Sequence, residues 1–120
     1  MIGFPKPARR VALLLALAAP ALGLGATHAV SAAPAARVQT VSIKMFAFTP
    51  QMLTVTPGTT VAWTNADEDP HTVTANDKGF HSAALDTDDK YSFTFTKPGD
   101  YAYFCSLHPH MTGRIIVKAG

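Results

Sequence analysis

A chain of 120 residues with a formal net charge of +2 has room for one small domain, and its single cysteine excludes an internal disulfide framework. The positive charge belongs to the amino-terminal segment, because residues 33–120 contain seven Lys or Arg and eight Asp or Glu, a net charge of 7 − 8 = −1. This balance argues against a basic nucleic-acid-binding surface.

The first 32 residues contain the three regions of a secretory signal peptide in the usual order. Three basic residues precede an apolar run over residues 11–25, and small residues follow up to Ala32. The run is shorter than the ~20 apolar residues that span a bilayer, and Pro20 interrupts it, so we expect cleavage after Ala32 and no stable membrane anchor. The pair Arg9–Arg10 leaves twin-arginine export open beside the general secretory route.

Residues 33–120 are predicted to form a single all-β domain. Runs rich in β-branched and aromatic residues alternate with turn signals, and we expect type II turns at Pro57–Gly58 and Pro98–Gly99. The connection 76–89 is long enough to contain another short strand around 81–85 or a turn of helix. The seven predicted strands are 38–48, 51–57, 59–65, 71–75, 90–96, 101–106 and 113–119.

Many short strands with turns between them favour two packed antiparallel sheets, a Greek-key β-sandwich of seven to eight strands. Strict alternation from Tyr91 to Thr96 predicts one buried and one solvated face in that strand. The expected core consists of Ile43, Trp63, Phe93, Phe95, Ile115 and Val117.

The segment YFCSLHPHMTG, residues 103–113, contains Cys105, His108 and Met111 in the spacing C-x-x-H-x-x-M, on or beside one loop between two predicted strands. Thiolate and thioether suit Cu(I), and imidazole suits both copper oxidation states. Because a trigonal site needs a second imidazole, we predict His71, which opens the strand 71–75, as the remaining ligand. The expected centre is one copper ion per chain, with Met111 as a long axial ligand.

Each of these residues alone also has a structural explanation. A single cysteine at a strand end is commonly a small buried hydrophobe, a methionine commonly fills a core, and a loop histidine is commonly solvated. The joint spacing, and a cysteine without a partner behind an export signal, favour the metal site.

From about Val38 to Gly120 the chain resembles the cupredoxins, and its short ligand loop is most similar to that of the amicyanins. The matching phrases are TVAWTN, PHTV, PGDYAYFC and MTGRIIV. This resemblance implies a β-sandwich with a type 1 copper ion held by His71, Cys105, His108 and Met111. It also implies a periplasmic one-electron carrier, with a periplasmic dehydrogenase as donor and a c-type cytochrome as acceptor, and a monomer is the default for such a shuttle.

One position departs from the family pattern. The residue after the first histidine is commonly Asn, whose side chain is tied to the hydroxyl residue after the cysteine. Here these positions are Thr72 and Ser106. We expect the shorter Thr72 to brace the two ligand loops less firmly, directly or through a water.

Other residues keep two interpretations. His110 is a solvated loop residue or makes partner docking sensitive to pH, and His81 is a surface residue or part of a second, weak metal site. The acidic run 67–69 is a solvated loop or a docking patch. One or both of Met45 and Met52 are expected in the core. Grouped at one surface with the predicted axial methionine, they would instead indicate a Cu(I) carrier.

Two functions follow from these residues. The first is a periplasmic one-electron carrier, and the second is a copper-binding protein for delivery, storage or resistance. A closed set of four protein ligands leaves no open metal position for a substrate, so an enzyme is not expected.

Overall fold

The computed structural model describes residues 37–120, with six isolated positions before them at residues 3, 18, 20, 21, 23 and 25. The predicted signal peptide and its cleavage site fall outside the described residues, apart from those six positions. The chain divides into two units, Met1–Ser31 and Ala32–Gly120, and the account below concerns the second. Among the described residues, no helix has the length and hydropathy needed to cross a bilayer.

The described strands form two four-stranded sheets, which confirms the predicted β-sandwich. The strand orders are β2-β1-β4-β6 and β3-β8-β7-β5. Two neighbouring pairs, β1 with β4 and β3 with β8, are parallel, so the expectation of purely antiparallel sheets is wrong. The chain crosses between the sheets at each of the five connections from β2 to β7. The strands are β1 Val38–Lys44, β2 Ala47–Thr49, β3 Met52–Val55, β4 Thr59–Asn65, β5 Thr74–Ala75, β6 Lys90–Phe95, β7 Gly99–Cys105 and β8 His108–Val117.

The predicted strand 38–48 is two strands joined by a tight turn. Lys44 pairs with Ala47, and the two residues between them, Met45 and Phe46, have φ of 52° and 56°. Positive φ at both central positions is the type I′ hairpin geometry, which Asn and Gly usually provide. The local sequence has neither, so the turn depends on a distant residue described below.

Several smaller expectations also need correction. Gly58 has φ of 90°, as a type II turn requires, but Gly99 is the first residue of β7 and lies outside the left-handed region. Met45 and Met52 are 81% and 60% exposed, so neither fills the core. Met45 lies at the hairpin turn, and Met52 lies on an outward-facing position of an edge strand.

The connection 76–89 forms isolated bridges in place of a regular strand or helix. His71 bridges to Leu85, and Thr74 bridges to His81. The predicted strand 71–75 is correspondingly reduced to the two residues of β5. These bridges hold His71 in a fixed position, although it lies outside a strand.

The core is built around Trp63, which is fully buried on β4. Its ring packs at 5.4 Å from Tyr103 and at 6.0 Å from Phe80. Of the predicted core residues, Phe93 is only partly buried and the other five are buried. Gly113, opposite Tyr103 on β8, is required there because a Cβ would lie 2.3 Å from the tyrosine Cζ.

The phenol of Tyr103 makes stability depend on pH in alkaline solution. Burial raises the pKa of Tyr103 to about 12, and the Trp63 indole acts in the opposite direction. Within the described part of the chain, neither Trp63 Nε1 nor the Tyr103 hydroxyl has a hydrogen-bond partner. The folded state therefore disfavours the phenolate.

We predict that the free energy of unfolding falls as the pH rises from about 10, the pKa of an unfolded tyrosine, to about 12. The sign follows from the proton count, since the folded protein keeps the phenol proton in this range and the unfolded chain loses it. Tyr103→Phe should remove this part of the pH dependence and change stability little at pH 7, because the lost hydroxyl is unpartnered. Denaturant unfolding of both proteins at pH 7, 10 and 11.5 measures the effect. If the free energy of unfolding fell equally between pH 10 and pH 11.5 in the wild type and in Tyr103→Phe, the prediction would be wrong.

Candidate metal centre

Cys105 and His108 are brought together by an irregularity at the end of the β7–β8 ladder. Phe104 pairs with Thr112, whereas Cys105 pairs with His108, so β8 contains a bulge over residues 109–111. A regular ladder would have placed Met111 opposite Cys105. The loop between these two strands is therefore shorter than predicted. His108 and Met111 lie within β8, and only residues 106 and 107 lie between β7 and β8.

Three potential ligand atoms converge at this end of the sandwich. The Cys105 Sγ lies 3.8 Å from His71 Nδ1 and 3.6 Å from His108 Nδ1, and the three ligand atoms lie within 4.8 Å of one another. Metal bonds of about 2.0 Å to nitrogen and about 2.3 Å to sulfur, meeting at about 120°, would separate N from S by about 3.7 Å. The spacing therefore fits a metal ion bound by all three residues.

The hydrogen-bond partner of Nε2 determines the tautomer of His71. Nε2 lies 2.8 Å from Asp67 Oδ2, and an ionised carboxylate only accepts hydrogen bonds, so Nε2 bears the proton. Nδ1 then presents a lone pair towards the Cys105 sulfur. That sulfur also accepts the Thr72 N–H at 3.2 Å. The lone pair of His71 Nδ1 therefore faces a sulfur that already accepts a hydrogen bond. A cation bound between these two atoms would stabilise this arrangement.

Asp67 links this histidine to the hairpin turn between β1 and β2. Oδ1 accepts the Met45 N–H at 2.7 Å and Oδ2 accepts the Phe46 N–H at 3.0 Å. Partial burial raises the pKa of Asp67, but the backbone hydrogen bonds from Phe46 and Met45 and the contact with His71 outweigh it and hold the pKa below its ordinary value. The same carboxylate thus orients His71 and stabilises a turn that lacks glycine.

The turn places an aromatic ring over the two histidines. The Phe46 ring lies edge-on to His71 at 5.3 Å and to His108 at 5.0 Å. Phe46 had no predicted role, and Asp67 was interpreted from the sequence only as part of an acidic run. The signal that could have identified Asp67 is its position four residues before a predicted metal-binding histidine.

Thr72 and Ser106 connect the two segments that provide His71 and Cys105. The Ser106 N–H donates to Thr72 Oγ1 at 2.8 Å, and the two hydroxyl oxygens also lie 2.8 Å apart. Thr72 Oγ1 is 3.0 Å from the Thr74 hydroxyl as well. The Thr72 and Ser106 side chains are thus in direct contact. This is one of the two expected arrangements, the other being a contact through a water.

The remaining predicted residues differ in exposure. His71, Cys105 and Met111 are buried, and His108 is half-buried. Met111 belongs to the inward-facing side of β8. His110 is exposed on the bulge, and His81 is exposed outside the described group of three ligand atoms.

Comparison with known proteins agrees with this fold and site. The model of the cupredoxin-like domain family matches residues 11–117. Amicyanin-alpha of Methylorubrum extorquens is 35% identical over 119 residues, which cover 92% of this chain and 99% of that protein.

Two solved structures are similar to this chain in both fold and sequence. A purple cupredoxin from Nitrosopumilus maritimus has a TM-score of 0.64 and 31% identity, covering 66% of this chain and 98% of its own. The reduced form of an amicyanin mutant also has a TM-score of 0.64 and 31% identity, covering 68% of this chain and 82% of its own. The match over nearly the whole chain, together with the identity to amicyanin-alpha, shows that the chain belongs to the cupredoxin family and is a relative of the amicyanins.

Proposed function

We propose that the protein is a one-electron carrier with one type 1 copper ion per chain, bound by His71, Cys105, His108 and Met111. The observation that supports this most directly is the convergence of one thiol sulfur and two imidazole Nδ1 atoms within 4.8 Å. Copper bound there would supply a Cu(II)/Cu(I) couple. His2Cys with a weak axial methionine is the donor set of electron-transfer copper sites.

The protein frame favours rapid electron exchange because it limits how far the ligands can move. His71 is fixed by Asp67 and by two backbone hydrogen bonds with Leu85, at 3.1 and 2.7 Å. Cys105 is fixed by the Thr72 N–H. A site that holds its ligands in one arrangement for both oxidation states has little to rearrange when an electron arrives or leaves.

His108 provides the route for the electron. It is half-buried, whereas His71 and Cys105 are 0% exposed. Its ring is therefore the part of the ligand set that a partner protein can approach.

The second candidate is a copper protein for delivery, storage or resistance. Metal exchange with a partner requires accessible ligands, but three of the four proposed ligands are buried here. Met45 and Met52 are exposed whereas Met111 is buried, so the three methionines do not share an exposed surface. We therefore favour the carrier, and we propose no enzymatic activity.

We further propose that residues 1–32 are removed on export and that residues 33–120 act in the periplasm as a monomer. The charged, apolar and small-residue order of the amino-terminal segment supports export. By analogy with the amicyanins, a periplasmic dehydrogenase would be the electron donor and a c-type cytochrome the acceptor.

Addition of one equivalent of Cu(II) to purified residues 33–120 tests the function. We expect an intense blue colour from sulfur-to-copper charge transfer, a reversible one-electron reduction, and slow loss of copper to a chelator in both oxidation states. A colourless Cu(II) complex would exclude the type 1 site. A blue protein that gives up its copper rapidly once reduced would favour delivery over electron transfer.

Removing the hydroxyl of Thr72 should loosen the connection between the two ligand segments. Thr72→Val has nearly the same shape but leaves the Ser106 N–H without its acceptor, at a cost of about 1–2 kcal/mol. We expect faster copper loss to a chelator and a shifted reduction potential. Thr72→Asn restores an acceptor and should preserve slow copper loss, so equal behaviour of Thr72→Val and the wild type would show that this hydroxyl does not brace the site.

A further inference from the structure

A small depression lies beside the proposed metal centre, between the β1–β2 hairpin and the bulge of β8. Its volume is about 160 Å³. The described residues that line it are Phe46, Ala47, Phe48, Gln51, His110, Met111 and Thr112. Met111 is therefore both a proposed copper ligand and part of the wall of a depression at the surface.

The bulge over residues 109–111 decides which side chains border this depression. His110 is exposed, whereas Met111, the next residue, is only 5% exposed. Consecutive side chains of a regular strand point to opposite faces, but here both residues contribute to the lining of one depression. The bulge thus places a surface imidazole directly beside a proposed ligand.

The donors in this depression suit a soft metal ion. Imidazole and thioether are ligands of Cu(I), whereas Mg²⁺ and Ca²⁺ prefer oxygen ligands, carboxylates above all. None of the described lining residues is a carboxylate. The volume exceeds that of several water molecules at about 30 Å³ each. The depression can therefore admit a copper ion that keeps some of its earlier ligands, and it offers little to a hard cation.

Copper has to reach donors that are closed to solvent. His71 and Cys105 are 0% exposed. On the hairpin side, the Phe46 ring lies against both proposed ligand histidines, at 5.3 Å from His71 and 5.0 Å from His108. A metal site needs an entry path, and an arriving ion must lose its earlier ligands before the buried donors replace them. A donor at the surface lowers this barrier, because it lets the exchange proceed one ligand at a time.

This inference rests on the copper-binding function proposed above. We propose that His110 is the first protein ligand of copper that enters the site, and that Met111 passes the ion from His110 to the buried donors. A His110 nitrogen replaces one ligand of the arriving Cu(I), and the Met111 thioether binds next. His110 is released when the buried donors hold the ion. Copper remains Cu(I), so no electron is transferred, and the proton of the Cys105 thiol passes to solvent as the sulfur binds.

A ligand that acts only during entry changes rates without changing affinity. His110 belongs neither to the free state of the ion nor to the proposed final ligand set. Its removal should therefore raise the barriers for loading and for release by the same amount. A residue that only supports the fold of the site would change the affinity instead.

Exchange of copper between purified residues 33–120 and the Cu(I) chelator bicinchoninate tests the proposal. Loading of the metal-free protein, without oxygen, is followed by loss of the colour of the chelator complex, and release from the reduced copper protein by its gain. The variants are His110→Gln, whose amide is a poor copper donor, and His110→Met, whose thioether is a soft donor. His81→Gln is the matched control, because His81 is exposed and lies outside the lining of the depression.

We expect His110→Gln to lower the rate constants for loading and release equally, by about fivefold to tenfold, with the Cu(I) affinity within about twofold of the wild type. His110→Met should recover most of both rates, and His81→Gln should match the wild type. Equal rates in His110→Gln and the wild type would overturn the proposal. So would a His110→Met variant as slow as His110→Gln, equal slowing by His81→Gln, or a loss of affinity without slower release.

Failure of the type 1 copper function would look different from failure of this proposal. Without that function the wild type would form a colourless Cu(II) complex, whereas a failed entry proposal leaves a blue wild type and a His110→Gln variant that exchanges copper at the same rate. Because His110 is exposed, we expect unchanged thermal unfolding of the metal-free variant. If His110→Gln is destabilised, His110→Ala takes its place, and the same equal slowing of loading and release is expected.

Discussion

Cys105→Ser is expected to abolish the visible charge-transfer absorption of the copper-loaded protein while the β-sandwich remains folded. The Cys105 side chain is 0% exposed and lies between the Nδ1 atoms of His71 and His108. A serine oxygen fits the same space and can still accept the Thr72 N–H, but it is a harder donor and lacks the polarisable sulfur that suits Cu(I). We expect the affinity for Cu(I) to fall by more than about a hundredfold, beyond the usual effect of changing an outer contact.

The measurement is a spectral titration with Cu(II), followed by competition with a Cu(I) chelator. Thermal unfolding of the metal-free variant and the metal-free wild type shows whether the substitution has damaged the fold. A variant that stays blue would show that Cys105 is not the sulfur donor. A variant that loses both colour and folded structure would be replaced by His108→Gly, which removes a half-buried proposed ligand from outside the core. Exogenous imidazole is then expected to restore the colour.

The sequence was sufficient to predict the residues that converge, because their chemistry is visible in their spacing. Cys105 and His108 are three residues apart at the end of a strand, so the local chain alone brings them close. His71 comes from a distant segment, but a histidine at the start of a predicted strand is a recognisable feature. The sequence did not reveal the register shift of β8, since that shift is a property of the ladder between two strands.

The residues that support the site were harder to predict, because their contacts are distant in sequence. Asp67 accepts hydrogen bonds from residues 21 and 22 positions earlier, and those residues form a hairpin turn without Asn or Gly. Turn chemistry alone therefore predicted one continuous strand over 38–48, with Met45 as one of two methionines that could fill the core. The turn depends on tertiary contacts, and local propensity was overridden there.

Asp67→Asn is expected to weaken copper retention by about tenfold to a hundredfold, although Asp67 is not itself a proposed ligand. The carboxylate accepts three hydrogen bonds, from Met45 N, Phe46 N and His71 Nε2. An amide offers one acceptor oxygen, so its NH2 group must face either the Met45 N–H or both the Phe46 N–H and the protonated Nε2 of His71. The first arrangement destabilises the hairpin turn, and the second favours the histidine tautomer with a proton on Nδ1, where the metal would bind.

Glu68→Gln is the matched control, because it removes the same charge from the adjacent exposed position, which makes no side-chain hydrogen bond within the described residues. The measurement is the rate of copper transfer to a chelator, together with the position of the charge-transfer band, which reports the ligand geometry. We expect Asp67→Asn to accelerate copper loss and shift the band, and Glu68→Gln to do neither. If both variants lost copper faster than the wild type and at the same rate, only the negative charge near His71 would matter. The hydrogen bonds from one carboxylate to a turn and a histidine would then have no special part in holding the metal.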